Sequence, residues 1–205
     1  MWTEFFDRIV VINLPKRLDR LLEVTEEMDK YNIPFELVDG MTSELGGAEG
    51  LRLTVEKIFK ESIEKEHKNI LIFEDDVVFV ENPNSFMDEV VKQLPENYDI
   101  VFLGCQCTKG MNYRYSPNLL QLDGAFATHA AFYSLQGMRE IINNGLKAPI
   151  DNYYVSDIQT LQRCYVTFPL LATQRAGVSS IGNTYIEWDK FITPRYYQKL
   201  GEMPQ

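Results

Sequence analysis

Cysteine, histidine and positive charge are scarce in this chain, and each shortage removes a class of function. The three cysteines, Cys105, Cys107 and Cys164, are odd in number and lack a zinc-ligand spacing. That speaks against a structural zinc module and against a disulfide framework, and leaves free thiols in a reducing compartment. Twenty basic residues face thirty acidic ones, for a formal net charge of −10. Such a chain has no broad basic face with which to track a nucleic-acid backbone or dock on an anionic membrane. A local basic pocket for one small anion stays open. No apolar run approaches the roughly 18 residues of a membrane span. The opening residues, MWTEFFD, lack the basic-then-apolar order of a secretory signal, so secretion is not expected. Repeats, low-complexity segments and a clear linker are absent from the sequence too. What remains, 205 residues of which 45% are hydrophobic, suffices for one large α/β domain or at most two small ones.

The apolar pattern alternates between strand and helix. Residues 8–14 (RIVVINL), closed by Pro15, read as a first, central strand. Residues 16–30 have helical spacing, with Leu18, Leu21, Leu22, Val24 and Met28 set among charges. Residues 33–38 read as a second strand ending at Asp39-Gly40, and 41–50 as a loop. Residues 51–66 form a patterned helix with Leu53, Ile58, Phe59 and Ile63 on one side. Residues 70–73 (ILIF) are a strand buried on both faces. A helix over 84–94 follows Pro83, capped by Asn82 or Asn84, and 99–104 is a further strand. This rhythm predicts a mostly parallel sheet wrapped by helices.

After Gly104 the rhythm changes. Residues 105–121 read as a long irregular loop, the segment expected to be most mobile. Residues 125–134 read as a strand and 135–144 as a helix stopped by Gly145. Pro149-Ile150-Asp151 turns into a helix near 156–163, opened by Ser156-Asp157-Ile158-Gln159 as a capping box. Short runs at 165–168 and 170–174 and an aromatic tail at 188–197 complete the chain.

The strand at 70–73 runs straight into Glu74, Asp75 and Asp76. Buried charge without compensation is very costly, so water, basic side chains or a metal ion must stabilise these acids. Ligands of open α/β sheets bind beyond the carboxyl ends of strands, which is where the acids stand. In an extended chain Glu74 and Asp76 point one way and Asp75 the other. Carboxylate oxygens suit Mg²⁺ and Mn²⁺, and those ions suit phosphates, so one reading is a metal–diphosphate site. The plainer reading is a solvated strand end. Arg17 and Arg20, at the start of the first long helix, have the forked geometry that grips a diphosphate, with helix N–H groups beside them; the alternative is a solvated basic face.

Several segments, in order, resemble glycosyltransferase family 25, the lipopolysaccharide-type and collagen-type glycosyltransferases. Val11-Ile12-Asn13-Leu14 with Arg17 and Arg20 resembles the family's opening strand and basic turn. Residues 35–40 (FELVDG) resemble its second strand and turn. The run ILIFEDDV at 70–77 resembles its I-L-I-x-E-D-D-V element and is the most specific match. Further on, residues 124–134 resemble its small-residue strand, Pro149-Ile150-Asp151 its P-V-D turn, and residues 169–181, with Gln174 and Ser179-Ser180-Ile181, its C-terminal element. One departure stands out: the family's Gly-Cys-x-x-Ser-His pattern is replaced by GLRLTV at 50–55, with Thr54 in place of the Ser. The Cys and His are absent, so if that His touches the sugar or acceptor in the family, the specificity here differs from that of the common bacterial members.

The resemblance implies a GT-A fold in a single domain over 1–205, with a nucleotide-sugar half at about 1–104 and an acceptor half at about 105–205. It implies transfer of a hexose or deoxyhexose from a nucleotide-sugar, with UDP as the donor nucleotide, to a glycan or glycoconjugate. It also implies Mn²⁺ or Mg²⁺ held by Glu74-Asp75-Asp76 as a DXD-like motif. Asp76 would bind the metal directly, with Glu74 as its companion, and Glu74 or Asp75 would reach the ribose or a metal-bound water. Asn13, Leu14 and Phe73 would line the nucleotide, Arg17 and Arg20 the diphosphate. Asp39 would bond uracil or ribose, or merely form its turn. For an inverting transfer Asp151 is the candidate general base, with Asp157 one helical step on; for a retaining one they would stabilise an oxocarbenium-like species, and their plainer roles are capping and favouring a helix start. His129 is a core histidine or a sugar contact, and His67 a solvated cation at a helix end. Tyr113 and Tyr115 stack on a sugar or pin their loop. Small cytosolic members occur in bacteria and large DNA viruses, so a cytoplasmic setting, in a bacterium or a virus-infected cell, is expected. Two other readings stay open: a Mg²⁺-dependent phosphohydrolase or nucleotidyltransferase, and a non-catalytic sugar-nucleotide-binding module.

Overall fold

The computed structural model describes residues 2–80, 82–107, 113–122, 124–179, 181–182 and 184–187. A short helix, α1 (Trp2–Phe5), leads into β1 (Arg8–Asn13), buried along its whole length. In α2 (Leu18–Lys30) the buried residues are Arg20, Val24 and Met28, four apart on one stripe. Leu18 and Leu22, expected on the apolar face, are exposed. The helix register therefore aims a guanidinium inward where the apolar pattern predicts leucine. β2 (Glu36–Asp39) follows, then α3 (Gly47–Glu64), which begins earlier than its apolar pattern suggests. β3 (Asn69–Glu74) is followed by the short β4 (Val77–Phe79) and by α4 (Pro83–Lys92), where Asn82 is the cap and accepts from the Asn84 N–H. β5 (Ile100–Phe102) closes this half.

The segment expected as a loop over 105–121 carries strands β6 (Gln106–Cys107), β7 (Tyr113–Ser116) and β8 (Leu119–Gln121); its residues 108–112 lie outside the described residues. The single strand expected at 125–134 is two, β9 (Ala125–Phe126) and β10 (Ala130–Ser134), broken where Ala127 takes φ +78°. α5 (Leu135–Asn143) is capped by Ser134 and stops before Gly145, at φ +75°. α6 (Ile150–Tyr153) runs into a π turn (Tyr154–Ile158) and a 3₁₀ turn (Gln159–Leu161). Ser156 is thus inside a helical run and not its cap; its hydroxyl donates to the Tyr153 carbonyl and to Asp157. β11 (Cys164–Thr167), β12 (Ala172–Gln174), β13 (Gly177–Val178) and β14 (Tyr185–Ile186) complete the described chain. The aromatic tail at 188–197 lies outside the described residues.

The main sheet has the order β2-β1-β3-β10-β5-β11-β8-β7. β2, β1, β3, β5, β11 and β7 point one way, and β10 and β8 run against them. This is the mixed, mostly parallel sheet of a GT-A-like α/β fold, flanked by helices. The period of two sorts the strand side chains into two layers. Val10, Ile12, Ile70 and Ile72 pack with Val55, Phe59 of α3 and Met138, Ile141 of α5. Val11, Leu71 and Phe73 pack with Val24, Met28 of α2 and Met87, Val90 of α4. The carboxyl ends of β1, β2 and β3 are level, with Asn13 opposite Asp39 and Ile12 opposite Glu74. β10, being antiparallel, starts at that same edge, with Ala130 opposite Phe73.

Candidate active site

A cavity of about 580 Å³ opens at this edge. Its floor is the ends of β1 and β3, and one side is α3 with residues 41–46 laid against it. That close approach requires Gly50: a Cβ there would come within 2.3 Å of the Met41 carbonyl oxygen. Thr54 fixes the same wall, accepting from the Met41 N–H and donating to the Gly50 carbonyl, both at 2.8 Å. Thr54 is therefore a strut of the cavity.

The acids converge differently from the strand expectation. β3 ends at Glu74, and Asp75 and Asp76 form a tight turn before β4. The alternation of a strand stops there, so Asp75 and Asp76 share a side instead of opposing each other. Both meet the Arg20 guanidinium: Nη1 lies 2.7 Å from Asp75 Oδ1 and 3.2 Å from Asp76 Oδ2. Arg20 Nη2 donates to the Val178 carbonyl at 2.8 Å, tying the acidic turn to β13. Gln174 Nε2 reaches the Asp76 carboxylate at 3.3 Å, and the Arg175 N–H closes on the Asp76 carbonyl at 2.7 Å. Glu74 accepts from the Thr128 hydroxyl at 2.8 Å. All three acids line the one cavity.

Charge is unevenly compensated. Burial pushes Asp75 and Asp76 above the usual carboxylate range, and Arg20 pulls them back. Glu74 is pushed up to about 8, first by burial, then by the Asp76 charge; Thr128 opposes this, and Asp75 and Asp151 add to it. A carboxyl whose folded pKa is raised holds its proton better folded than unfolded. Its contribution therefore favours folding in acid and is lost as pH rises from the ordinary carboxylate range through about 8. Glu74→Gln is expected to flatten this fall between pH 5 and 9, with higher stability than the parent at the alkaline end. Denaturation midpoints across that range check it; parallel curves for the two proteins would refute it.

The structure brings Leu14, Arg20, Glu74, Asp75, Asp76 and Asp151 of the expected set to the cavity. The others stand elsewhere. Phe73 is fully buried on the opposite sheet face against Phe79, because residue parity sends 73 and 74 to different layers. Asn13 is buried and donates to the Leu14 carbonyl, and Asp39 is exposed at the end of the edge strand. Arg17 is engaged by Asp19 at 2.8 Å, and Lys16 lines the cavity instead. Asp157 is carried away by the π turn and pairs with Lys147 at 3.2 Å. His129 is buried, which holds its pKa near 4, and its Nε2 lies 3.0 Å from where a Cβ on Gly104 would stand. Tyr113 is exposed on β7 at the far edge of the sheet, and the ring of Tyr115 packs against Tyr165.

Lys16 and Thr128 escape the sequence reading. Lys16 follows Pro15 where the chain leaves β1, and Thr128 sits in the break between β9 and β10; a polar residue at an interrupted strand is the signal that points to it. The oxygen set fits a hard divalent cation: the Asp75 and Asp76 carboxylates converge, and beside them the Gln174 Oε1 is buried without a hydrogen-bond partner among the described residues. Among the described residues no three His, Cys, Asp or Glu side chains cluster as ligands. Mg²⁺-type sites commonly use one or two carboxylates and complete the shell with phosphate oxygens and water.

The sheet order and the acid-lined cavity at its carboxyl edge define a GT-A-like α/β protein. No family model matches the sequence, and no curated protein matches it. Among solved structures the chain is similar to A197 from STIV, with 15% identity, a TM-score of 0.53 and coverage of 87% of this chain and 93% of that one. It is also similar to a glycosyltransferase involved in the glycosylation of the major capsid of PBCV-1, with 15% identity, a TM-score of 0.50 and coverage of 78% and 79%. A Drosophila β-1,4-galactosyltransferase 7 in complex with manganese, UDP-Gal and xylobiose aligns at 10% identity and a TM-score of 0.46, over 97% of this chain and 75% of that one. For the first two, each at 15% identity, the shared property is the fold.

Proposed function

We propose that this protein is a metal-dependent glycosyltransferase of the family 25 type, moving a sugar from a UDP-sugar to a hydroxyl of a glycan or glycoconjugate. The observation that carries the reading is the convergence of Glu74, Asp75, Asp76, Lys16, Arg20 and Asp151 on one cavity at the carboxyl edge of the sheet. Ile12, Leu14, Gly40 and Met41 give that cavity an apolar side for the nucleoside. Lys16 and Arg20 supply positive charge for the diphosphate. Asp76 with Asp75 would hold Mn²⁺ or Mg²⁺, whose charge when bound stabilises the departing diphosphate; Glu74, bonded to Thr128, is the lesser candidate. Asp151 takes the proton of the acceptor hydroxyl as its oxygen bonds to the anomeric carbon and the bond from that carbon to phosphate breaks. Residues 1–104 serve chiefly the donor and 105–205 chiefly the acceptor, within one domain.

No described helix is long and apolar enough to cross a membrane. The buried, unbridged thiol of Cys164 suits a reducing compartment, and we place the reaction in the cytoplasm. Calorimetric titration with UDP, with and without Mn²⁺, tests the donor site. Binding that needs the metal and is abolished by Asp76→Ala is expected. Absence of UDP binding under every metal condition would overturn the donor assignment. Phosphate release from the UDP-sugar without sugar transfer would select a phosphohydrolase.

A further inference from the structure

A second cavity, of about 290 Å³, abuts the first and shares four wall residues with it: Leu51, Thr128, Asp151 and Ile181. Its remaining described walls are Ala48, Pro149, Ile150 and Asn152. The chemistry of the two spaces differs. The first holds Lys16, Arg20 and four acids, Glu74, Asp75, Asp76 and the shared Asp151, a set suited to a diphosphate and its counter-cation. The second has no Lys, Arg or His among its described lining residues, so it offers an anion no partner. Its polar groups are the Asp151 carboxylate, the Asn152 amide and the Thr128 hydroxyl, and the rest is aliphatic. A carboxylate and an amide on an otherwise apolar wall can bond vicinal hydroxyls and accept the carbon face of a sugar ring. The volume stands at the lower end of the ~300–1,000 Å³ typical of ligand pockets, room for one ring and not for an oligosaccharide.

We infer that the second cavity is the acceptor subsite and that it takes a single uncharged sugar ring, with Asn152 and Asp151 reading its hydroxyls. The inference rests on the glycosyltransferase reading for the word acceptor, but not for the binding itself. Asp151 lines both cavities and so stands at their junction. A hydroxyl bonded to Asp151 from the second space therefore faces the donor space. Anionic sugars are excluded: a uronic acid or a sugar phosphate would meet Asp151 with no cation in the described wall to offset the repulsion.

Ala48 is half-buried in the first turn of α3 and lines the second cavity, so an indole at this position would occupy that space. The test is saturation-transfer NMR with the methyl glycosides of galactose, glucose and mannose, and with methyl glucuronide as the charged counterpart, in the presence of UDP and diamagnetic Mg²⁺. At least one neutral glycoside is expected to give a signal, Ala48→Trp to reduce it to background, and the glucuronide to stay silent. Asn152→Ala, a change at an exposed residue that leaves the fold unburdened, is expected to weaken the neutral glycoside roughly 2–10-fold, as the loss of one hydrogen bond does. It carries the test if the Trp variant does not fold. Silence from all neutral glycosides, a signal indifferent to both variants, or equal binding of the glucuronide overturns the assignment. UDP titration of the same samples separates the two claims. UDP binding without glycoside binding removes the acceptor subsite alone. Glycoside binding that the variants weaken, without UDP binding, keeps a sugar site and removes the UDP donor assignment.

Discussion

Asp151→Asn is expected to lower the rate of the proposed sugar transfer by roughly 10²–10⁴-fold, the range over which a positioned general base contributes. UDP affinity should be unchanged, because Asp151 reaches the cavity from α6 while the expected diphosphate contacts come from the start of α2 and the end of β3. The substitution preserves size, and the carboxylate it removes is half-buried and accepts the N–H of the adjacent Asn152 at 2.9 Å. Loss of rate without loss of stability is therefore the outcome that a proton-accepting role requires. The rate of UDP release with acceptor present, set beside calorimetric UDP binding, reads both quantities. A turnover within about threefold of the parent, far below the range of a general base, would remove Asp151 from the chemistry. Asp157, salt-bridged to Lys147 outside the cavity, is the matched control, and Asp157→Asn is expected to leave the rate as it is.

How much of this is legible in the sequence differs from element to element. RIVVIN and ILIF announce buried strands because a run apolar on both faces has few other homes, and both are buried strands. The direction of residues 130–134 is not legible: AAFYS packs equally well either way, and only its pairing with β3 and β5 reverses it. The inward turn of Arg20 is half legible. Its spacing to Val24 and Met28 is there to read, but leucines at 18 and 22 offer a competing stripe, and long-range attraction to Asp75 and Asp76 decides the register. The acidic run is conspicuous because three charges ending an apolar strand demand compensation. Its geometry is not, since alternation holds only while the strand lasts and β3 stops at Glu74. Thr128 and Lys16 come to the cavity through chain breaks, which periodicity does not register.

Arg20→Met is expected to produce the largest change in stability. The guanidinium is only 8% exposed and is the cation shared by two carboxylates that are each 7% exposed. Methionine keeps much of the stem packing and leaves the acids without their counter-charge. Breaking a buried ion pair from one side costs about 3–5 kcal/mol, because the remaining charge is stranded in a poorly solvated place. For a chain of this size that is a fall of roughly 6–20 °C in Tm. The variant also loses the bond from Arg20 to the Val178 carbonyl, so protection of the β13 amides should drop. Two conditions should restore part of the loss for different reasons. Acid pH protonates Asp75 and Asp76 and removes the stranded charge. Millimolar Mg²⁺ or Mn²⁺ puts a cation back where the guanidinium stood, if those carboxylates form a divalent site. Thermal melts with and without metal, at neutral and acid pH, separate the outcomes. A variant as stable as the parent would mean that solvent already compensates the acids. A destabilised variant that recovers in acid but ignores metal would keep the ion pair and remove Asp75 and Asp76 as metal ligands. Recovery with metal is the expected result, and it would identify Arg20 as the resident counter-ion that a bound cation displaces.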